Sequence, residues 1–396
     1  MKLLALSWNY RKYFFETILH EQEAVAKIIP DTVFYGPGFI YNNNRVTDII
    51  KEVYVNTRPD AIVCYISDDL LLHKPLPKKI IERYNVPKRL QTFPLDLDKV
   101  HVPKILIVTD SWNCTHTEWR RIILKNDFSA IFGLCPPFCS AEFFNKYFDS
   151  DIQKYLCIQP LLSAIDPNVF KDYGLPKQYD VMLFGRLAEF MYPLRVHFDR
   201  ILRTQTDIRY YSRGNPAYLF YENDETEYDI PIRGAYAKAM NRSHIFLTCC
   251  TKYKIPVMKL FEALACKTLL MCDKPYGAEG LGLIDQETFV EVEENNFLEK
   301  IRYYLKRPDE MKRISENGYR LVHQRHTVEK RALEFKELLE KFILESGKAK
   351  TIRKPSYGFI NYCGDLRTKC LKVIFIVIRM PLRIAAYCLK MLRRKI

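Results

Sequence analysis

The residues best equipped for chemistry fall in three places. Lys259 and Glu262 stand three apart in KLFEALAC, on a stretch whose apolar positions Val257, Leu260, Phe261, Leu264 and Ala265 recur at helical spacing. An ammonium and a carboxylate so spaced share one helix face. The plain outcome is a surface ion pair of little energetic consequence; the other is a pair of charges facing a ligand. Arg186 and Arg195 both follow the point where the apolar run 181–184 meets Gly185, the first directly after the glycine and the second early in the helical stretch beyond it. A glycine there lets a ligand approach the backbone, and two permanent cations beside it suit a phosphate. Asp110 and His116 follow the apolar run ILIVT, with Ser111 and Asn113 between them, and Asp68 and Asp69 follow AIVCYIS. These are strand-end positions, where open parallel sheets bind ligands, and Asp110 or His116 there could take a proton from a substrate hydroxyl. The same Asp and Ser residues could instead cap helices.

These groups need elements to position them. Apolar or extended runs at residues 3–7, 32–35, 61–66, 105–109 and 131–134 alternate with helical segments, the first of them 15–29, which predicts βαβ units and a parallel sheet. The run at 155–162 ends in the turn signal Asp166-Pro167. A second alternating series then uses 181–184, 208–214, 244–250 and 268–272 as strands, with helices at 194–203 and 236–242. Pro256 suits the first turn of the helix carrying Lys259 and Glu262, because its missing N–H has no partner there in any case. Residues 76–104, rich in Pro and Lys, read as a surface excursion, and 216–231 as a solvated acidic loop. Gly318 is expected to end one C-terminal helix and 328–344 to form another. The predicted fold is α/β with domains at 1–165 and 166–345, followed by a basic linker and tail at 346–396.

At 396 residues the chain is long for one core, and 48% hydrophobic with 27% charged residues is a globular composition. A net charge of +14 favours an anionic partner. The twelve cysteines lie mostly inside apolar runs and give neither a disulfide framework nor a second pair at zinc spacing, so no metal site is expected and the compartment reads as reducing. The N-terminal run is too short for a signal peptide. From residue 368 the tail is basic and apolar together: Lys372, Arg379, Arg383, Lys390 and Arg394, spaced 7, 4, 7 and 4, form one helical stripe among Ile, Val, Leu, Phe and Met. No uncharged run is long enough to span a bilayer. The pattern is that of a helix lying on an anionic membrane surface, kinked at Pro381. Because the basic excess sits beside large aliphatics and lacks an aromatic platform, nucleic acid is not the expected partner.

Taken together, FGRL at 184–187, KLFEALACK at 259–267, PYGAE at 275–279, RPDEMKRISENGYRLVHQRHTVEKRA at 307–332 and the interdomain segment SAIDPNVF at 163–170 resemble the nucleotide-sugar glycosyltransferases of the GT-B fold. The set is the bacterial group-1-like one that includes spore-maturation glycosyltransferase-like proteins. The resemblance covers most of residues 156–335. It implies two facing Rossmann-like domains, with the nucleotide-sugar donor held mainly by the second. It places Glu262 at the donor ribose, Arg186, Arg195 and Lys259 at the diphosphate, Gly277 and Ala278 as backbone donors to the same phosphates, and Tyr211 to Gly214, with Arg213, near the nucleobase. No metal or other cofactor is required, since basic side chains neutralise the leaving group. His326 matches a family position, with helix packing as its ordinary role. Two residues depart from the pattern: Lys254 replaces a second glutamate frequent in retaining members, and Lys267 replaces a glycine. The expected protein is a cytoplasmic glycosyltransferase, peripheral on the inner face of the cell membrane, acting on a glycan, lipid-linked or surface-polymer acceptor. The rival is a non-catalytic protein that keeps the fold as a scaffold for surface-polymer assembly.

Overall fold

The computed structural model describes residues 1–11, 17–65, 71–72, 74–214 and 232–346. Among them the first half forms a six-stranded sheet and the second a five-stranded one. The first sheet runs β2-β1-β3-β4-β5-β6, with β1 (Leu3–Leu6), β2 (Thr32–Tyr35), β3 (Ala61–Cys64), β4 (Lys104–Val108), β5 (Ala130–Gly133) and β6 (Cys157–Pro160). All its pairings are parallel, with Leu3 opposite both Thr32 and Ala61. Helices α1 (Thr17–Ile28), α2 (Val46–Val53), α3 (Lys78–Arg83), α4 (His116–Asn126), α5 (Ala141–Asn145) and α6 (Ser150–Tyr155) connect it. Every residue of β1, β3 and β5 is buried, as strands covered on both faces must be, which explains why they read as continuous apolar runs.

The second sheet runs β11-β10-β9-β7-β8, also parallel, from β7 (Tyr179–Phe184), β8 (Tyr210–Arg213), β9 (Ser243–Leu247), β10 (Leu269–Cys272) and β11 (Val290–Glu291). Its helices are α7 (Pro193–Leu202), α8 (Arg233–Asn241), α9 (Met258–Ala265), α10 (Ala278–Leu281), α11 (Phe297–Leu305) and α12 (Pro308–Arg325). The edge strand β11 lies in an acidic segment, with the apolar Phe289, Val290 and Val292 turned inward.

Three sequence-based expectations need correction. Gly318 does not end a helix but lies inside α12, because a Cβ there would come within 2.5 Å of Leu264 Cδ2 and 2.6 Å of the Thr288 carbonyl oxygen. The glycine is what lets α12 press against α9. Residues 76–104 are not a surface excursion: Leu76, Ile80, Val86, Leu90, Phe93 and Leu97 are buried in the first core, Ile80 on α3 and Leu90 and Leu97 on short 3-10 turns. Finally, α13 (Val328–Ser346) packs on the first sheet although it follows the second in sequence. Its Phe335 and Phe342 both meet Phe132 of β5 edge-on, at 6.0 and 6.2 Å between centroids. The chain therefore crosses between domains twice, and the crossings are zipped together where Ile165 pairs with Thr327.

No helix among the described residues is long and apolar enough to cross a membrane. The basic amphipathic helix expected at 368–396, like Asp68 and Asp69, lies outside the described residues.

Candidate functional site

A cavity of about 630 Å³ lies between the two domains and is lined by both, a size suited to a small-molecule ligand. Its second-domain wall begins at the end of β7. Gly185 there has φ +131°, and a Cβ would stand 2.9 Å from both Arg195 Nη1 and Lys259 Cε. The glycine thus admits two cations against the backbone, as its place in the sequence suggested.

Arg195 comes from the first turn of α7, which Pro193 opens. It is only 2% exposed. Nη1 donates to the Arg186 carbonyl at 3.2 Å, Nη2 donates to Thr248 Oγ1 at 3.2 Å and to the Cys249 carbonyl at 3.1 Å, and the guanidinium lies over the Tyr192 ring at 4.1 Å. Its Nε is buried with no partner. No carboxylate among the described residues pairs with it, so a buried cation is held by neutral groups alone. Such an arrangement is costly until an anion arrives.

Lys259 lines the same wall, half-buried, with Nζ 5.4 Å above the Tyr236 ring. Burial holds its ammonium below the usual lysine range, Glu262 opposes that shift and Arg195 adds to it. The i,i+3 ion pair of the plain reading does not form: Lys259 turns into the cavity, whereas Glu262 is buried beside it and accepts from the Tyr236 hydroxyl at 3.3 Å. Burial raises the Glu262 carboxyl above its ordinary value, against the Lys259 charge. Arg186 is exposed at the cavity rim, 5.8 Å from the Phe190 ring.

The first-domain wall is built by the residues following β4. Thr109 and Asp110 lead into a short 3-10 turn, Ser111–Asn113, which is anchored by Trp119 donating from its indole nitrogen to the Ser111 carbonyl at 2.7 Å. Asp110 stands at the cap position of that turn, but its side chain does not cap it and makes no hydrogen bond with the described residues. Burial lifts its carboxyl from 3.8 to about 6. Asp110 is therefore a partly buried, unengaged carboxylate facing the cavity.

His116 does not join it. It opens α4 behind a capping box of Thr115 and Glu118, and its Nε2 is bonded to Asp149 Oδ2 at 2.9 Å, an oxygen that also receives Arg120 Nη1 at 2.5 Å. Six residues beyond Asp110, helix geometry has carried it out of the cavity lining. Tyr211 and Arg213 also lie outside that lining: Tyr211 stacks on Tyr179 at 4.6 Å, and the Arg213 guanidinium lies 4.8 Å from the Tyr211 ring centroid. Gly277, at φ +69°, packs under the first domain, where a Cβ would meet the Pro137 carbonyl at 2.9 Å, and Ala278 is buried. Of the residues singled out from sequence, the cavity gathers Asp110, Asn113, Arg186, Arg195 and Lys259.

The two departures from the family pattern have structural roles. Lys254 pairs with Asp273 Oδ2 at 2.9 Å, and the other oxygen of Asp273 accepts the Cys250 N–H at 2.8 Å, locking the strand ends beneath the site. Lys267 takes the left-handed conformation, φ +54°, that a glycine would adopt, and reaches Asp172 and Glu316 at 3.6 Å each. His326 is a packing residue: it is 4% exposed, its ring lies 4.6 Å from Phe261, and Nε2 donates to the Leu281 carbonyl at 2.9 Å. Burial and the nearby arginines lower its pKa to about 4.

Sequence reasoning missed Trp112, which lines the first wall, and the Met191–Tyr192 turn on the second. An aromatic residue two past a strand-end Asp was the available signal for the former. Among the described residues no group of three His, Cys, Asp or Glu side chains is placed to hold a metal ion, and the nine cysteines described are free thiols.

Residues 195–337 match the family model described as glycosyl transferase-like. Among solved structures the chain is similar to sucrose-phosphate synthase from Thermosynechococcus elongatus, with a TM-score of 0.52 and 12% identity over 87% of this chain and 100% of that one. It is equally similar to Anabaena HepE in complex with UDP and glucose, at TM-score 0.52 and 12% identity over 86% and 99% of the two chains. A glycosyltransferase from Rickettsia africae gives a TM-score of 0.50 and 13% identity over 86% and 98%. No curated protein sequence matches the chain.

Proposed function

We propose that the protein, a GT-B glycosyltransferase whose second domain belongs to the glycosyl transferase-like family, moves a sugar from a nucleoside diphosphate donor to a hydroxyl of its acceptor without a metal ion. The observation that carries this is the pairing, across one cavity, of cations without carboxylate partners and a carboxylate without a donor among the described residues. Arg186, Arg195 and Lys259 receive the diphosphate, whereas Glu262, buried against Tyr236 and outside the cavity lining, is not given the ribose role that the sequence resemblance implied. The complex of HepE with UDP and glucose, in a protein of the same fold, supports a donor of this class.

In the reaction the acceptor oxygen bonds to the anomeric carbon as the bond from that carbon to the β-phosphate oxygen breaks. The electron pair leaves with the diphosphate, whose growing charge is met by cations already in place, so that little reorganisation is needed. The hydroxyl proton passes to Asp110, a base whose pKa of about 6 suits transfer near neutral pH. A base on the wall opposite the leaving group belongs to an inverting transfer. The unengaged Asp110 also favours catalysis over a scaffolding role, because a protein that only binds has no need of a desolvated free carboxylate there.

The acceptor is a glycan, lipid-linked or surface-polymer hydroxyl, and the basic tail holds the enzyme to the inner face of the cell membrane. Calorimetry with UDP-, GDP-, ADP- and CDP-sugars tests the donor reading: one class should bind with micromolar affinity, and silence across the panel would reject it. Removal of residues 368–396 should abolish co-sedimentation with anionic vesicles and leave donor binding intact.

A further inference from the structure

We infer that the first-domain wall of the cavity is an acceptor subsite for an uncharged sugar ring, seated on Trp112 beside Asp110, and not for a phosphate-bearing acceptor. This rests on the glycosyltransferase reading of the cavity and narrows its acceptor. The partition of charge carries it. All three cations that line the cavity, Arg186, Arg195 and Lys259, belong to the second domain. The first domain contributes one carboxylate, Asp110, three neutral polar side chains, Thr109, Asn113 and Ser163, and the apolar surface of Trp112 and four aliphatic residues. A phosphate docking there would face like charge with no first-domain cation among the described residues to offset it, an arrangement that rejects the wrong partner. A hydroxyl would find the Asp110 carboxylate as its acceptor.

The rest of the wall has the chemistry of sugar recognition. A pyranose presents an apolar C–H face and a rim of hydroxyls, and an indole flanked by small polar groups complements both. Trp112 differs from the other two tryptophans in being only half-buried; Trp8 is 7% exposed and Trp119 1%. It is braced against Phe143, ring centroids 6.2 Å apart, and Phe143 in turn meets Tyr253 from the second domain at 4.8 Å. Residues of both domains thus fix the platform. Asn113 and Thr109 are exposed beside it, and their side chains make no hydrogen bonds with the described residues, which leaves them available to ring hydroxyls.

Intrinsic fluorescence reads this site directly, because Trp112 is the tryptophan open to a quencher. The full-length protein is titrated with neutral methyl pyranosides (gluco, galacto, manno and N-acetylgluco), and separately with pyranose 6-phosphates and a polyprenyl phosphate in detergent. At least one neutral pyranoside should shift the emission saturably and protect it from acrylamide. The Trp112→Phe variant should lose that signal while unfolding at the wild-type temperature. In turnover, Trp112→Ala should raise the KM for the pyranoside about tenfold with kcat held within about threefold, and Trp112→Phe should recover most of the loss. A saturable response to the phosphorylated probes alone, no response to any pyranoside, or an unchanged KM in Trp112→Ala would overturn the inference. The titration needs no donor, so it decides the subsite even if every nucleotide sugar fails in calorimetry, a result that would instead remove the transferase reading.

Discussion

The two walls of the cavity solve opposite electrostatic problems. The second domain holds its charges rigidly: Arg195 is buried, fixed by three hydrogen bonds and a ring, and sits against a glycine that leaves it no room to move. The first domain gives Asp110 no hydrogen bond among the described residues, and burial raises its pKa. A leaving group is served best by charge that is already in place, whereas a base must be free to take a proton. Under the proposed function, this contrast makes the donor side preorganised and the acceptor side poised.

The strongest way to break this comparison is Asp110→Asn. It should lower kcat by about 10²- to 10⁴-fold and leave donor affinity unchanged by calorimetry; an equal loss of donor binding would show that the walls are not separate. In the wild type, kcat/KM should fall as the pH drops below about 6, where Asp110 protonates.

A second test extends the contrast to the crossing between domains, where each domain supplies a group pushed toward its neutral form. His326 has a folded pKa of about 4 against an ordinary 6.5, so the folded state binds fewer protons and stability falls as pH falls from 6.5 to 4. The wild type should lose roughly 3 kcal/mol relative to His326→Gln over that window, read by denaturant titration. Glu21, whose carboxylate accepts the Ala164 N–H at 3.0 Å, is raised by burial from 4.5 to about 7. Its folded state binds more protons, so the difference between wild type and Glu21→Gln should slope the other way, stability being lost as pH rises from 4.5 to 7.

Lys259→Ala sharpens the donor side. Loss of one of three cations should raise the donor Kd by about 10- to 100-fold, with thermal stability unchanged or slightly higher because an unpaired buried charge is gone. The smallest effect is expected at Lys267→Gly. Relief of the left-handed conformation, about 1 kcal/mol, should exceed the loss of two partly exposed ion pairs at 3.6 Å, for a net gain under about 1 kcal/mol.

Much of the fold was legible because it is written in local period. Buried parallel strands show as short apolar runs, and β1, β2, β7 and β10 fall within two residues of where those runs predict them. The edge strand β11 was hidden because it is only two residues long and lies among glutamates, although the apolar residues Phe289, Val290 and Val292 around it are buried. Residues 76–104 misled for a different reason: prolines erase periodicity without moving the apolar side chains off the core. At the site, Gly185 with Arg186 and Arg195 could be read from chain order, since a strand, a glycine and the next helix are neighbours in both sequence and space.

What the sequence alone determined was therefore the alternation of elements, the division into two parallel sheets, the cationic turn after β7, and the helix on which Lys259 and Glu262 stand. Only the tertiary structure decided that Lys259 enters the cavity while Glu262 turns to Tyr236, that Asp110 remains free while His116 is tied to Asp149, and that Trp112 completes the opposite wall. It also decided that the last helix returns to the first domain. Secondary structure follows from neighbours along the chain, but the partner of a charge is set by whatever the fold brings within a few ångströms of it, from residues tens to hundreds of positions away.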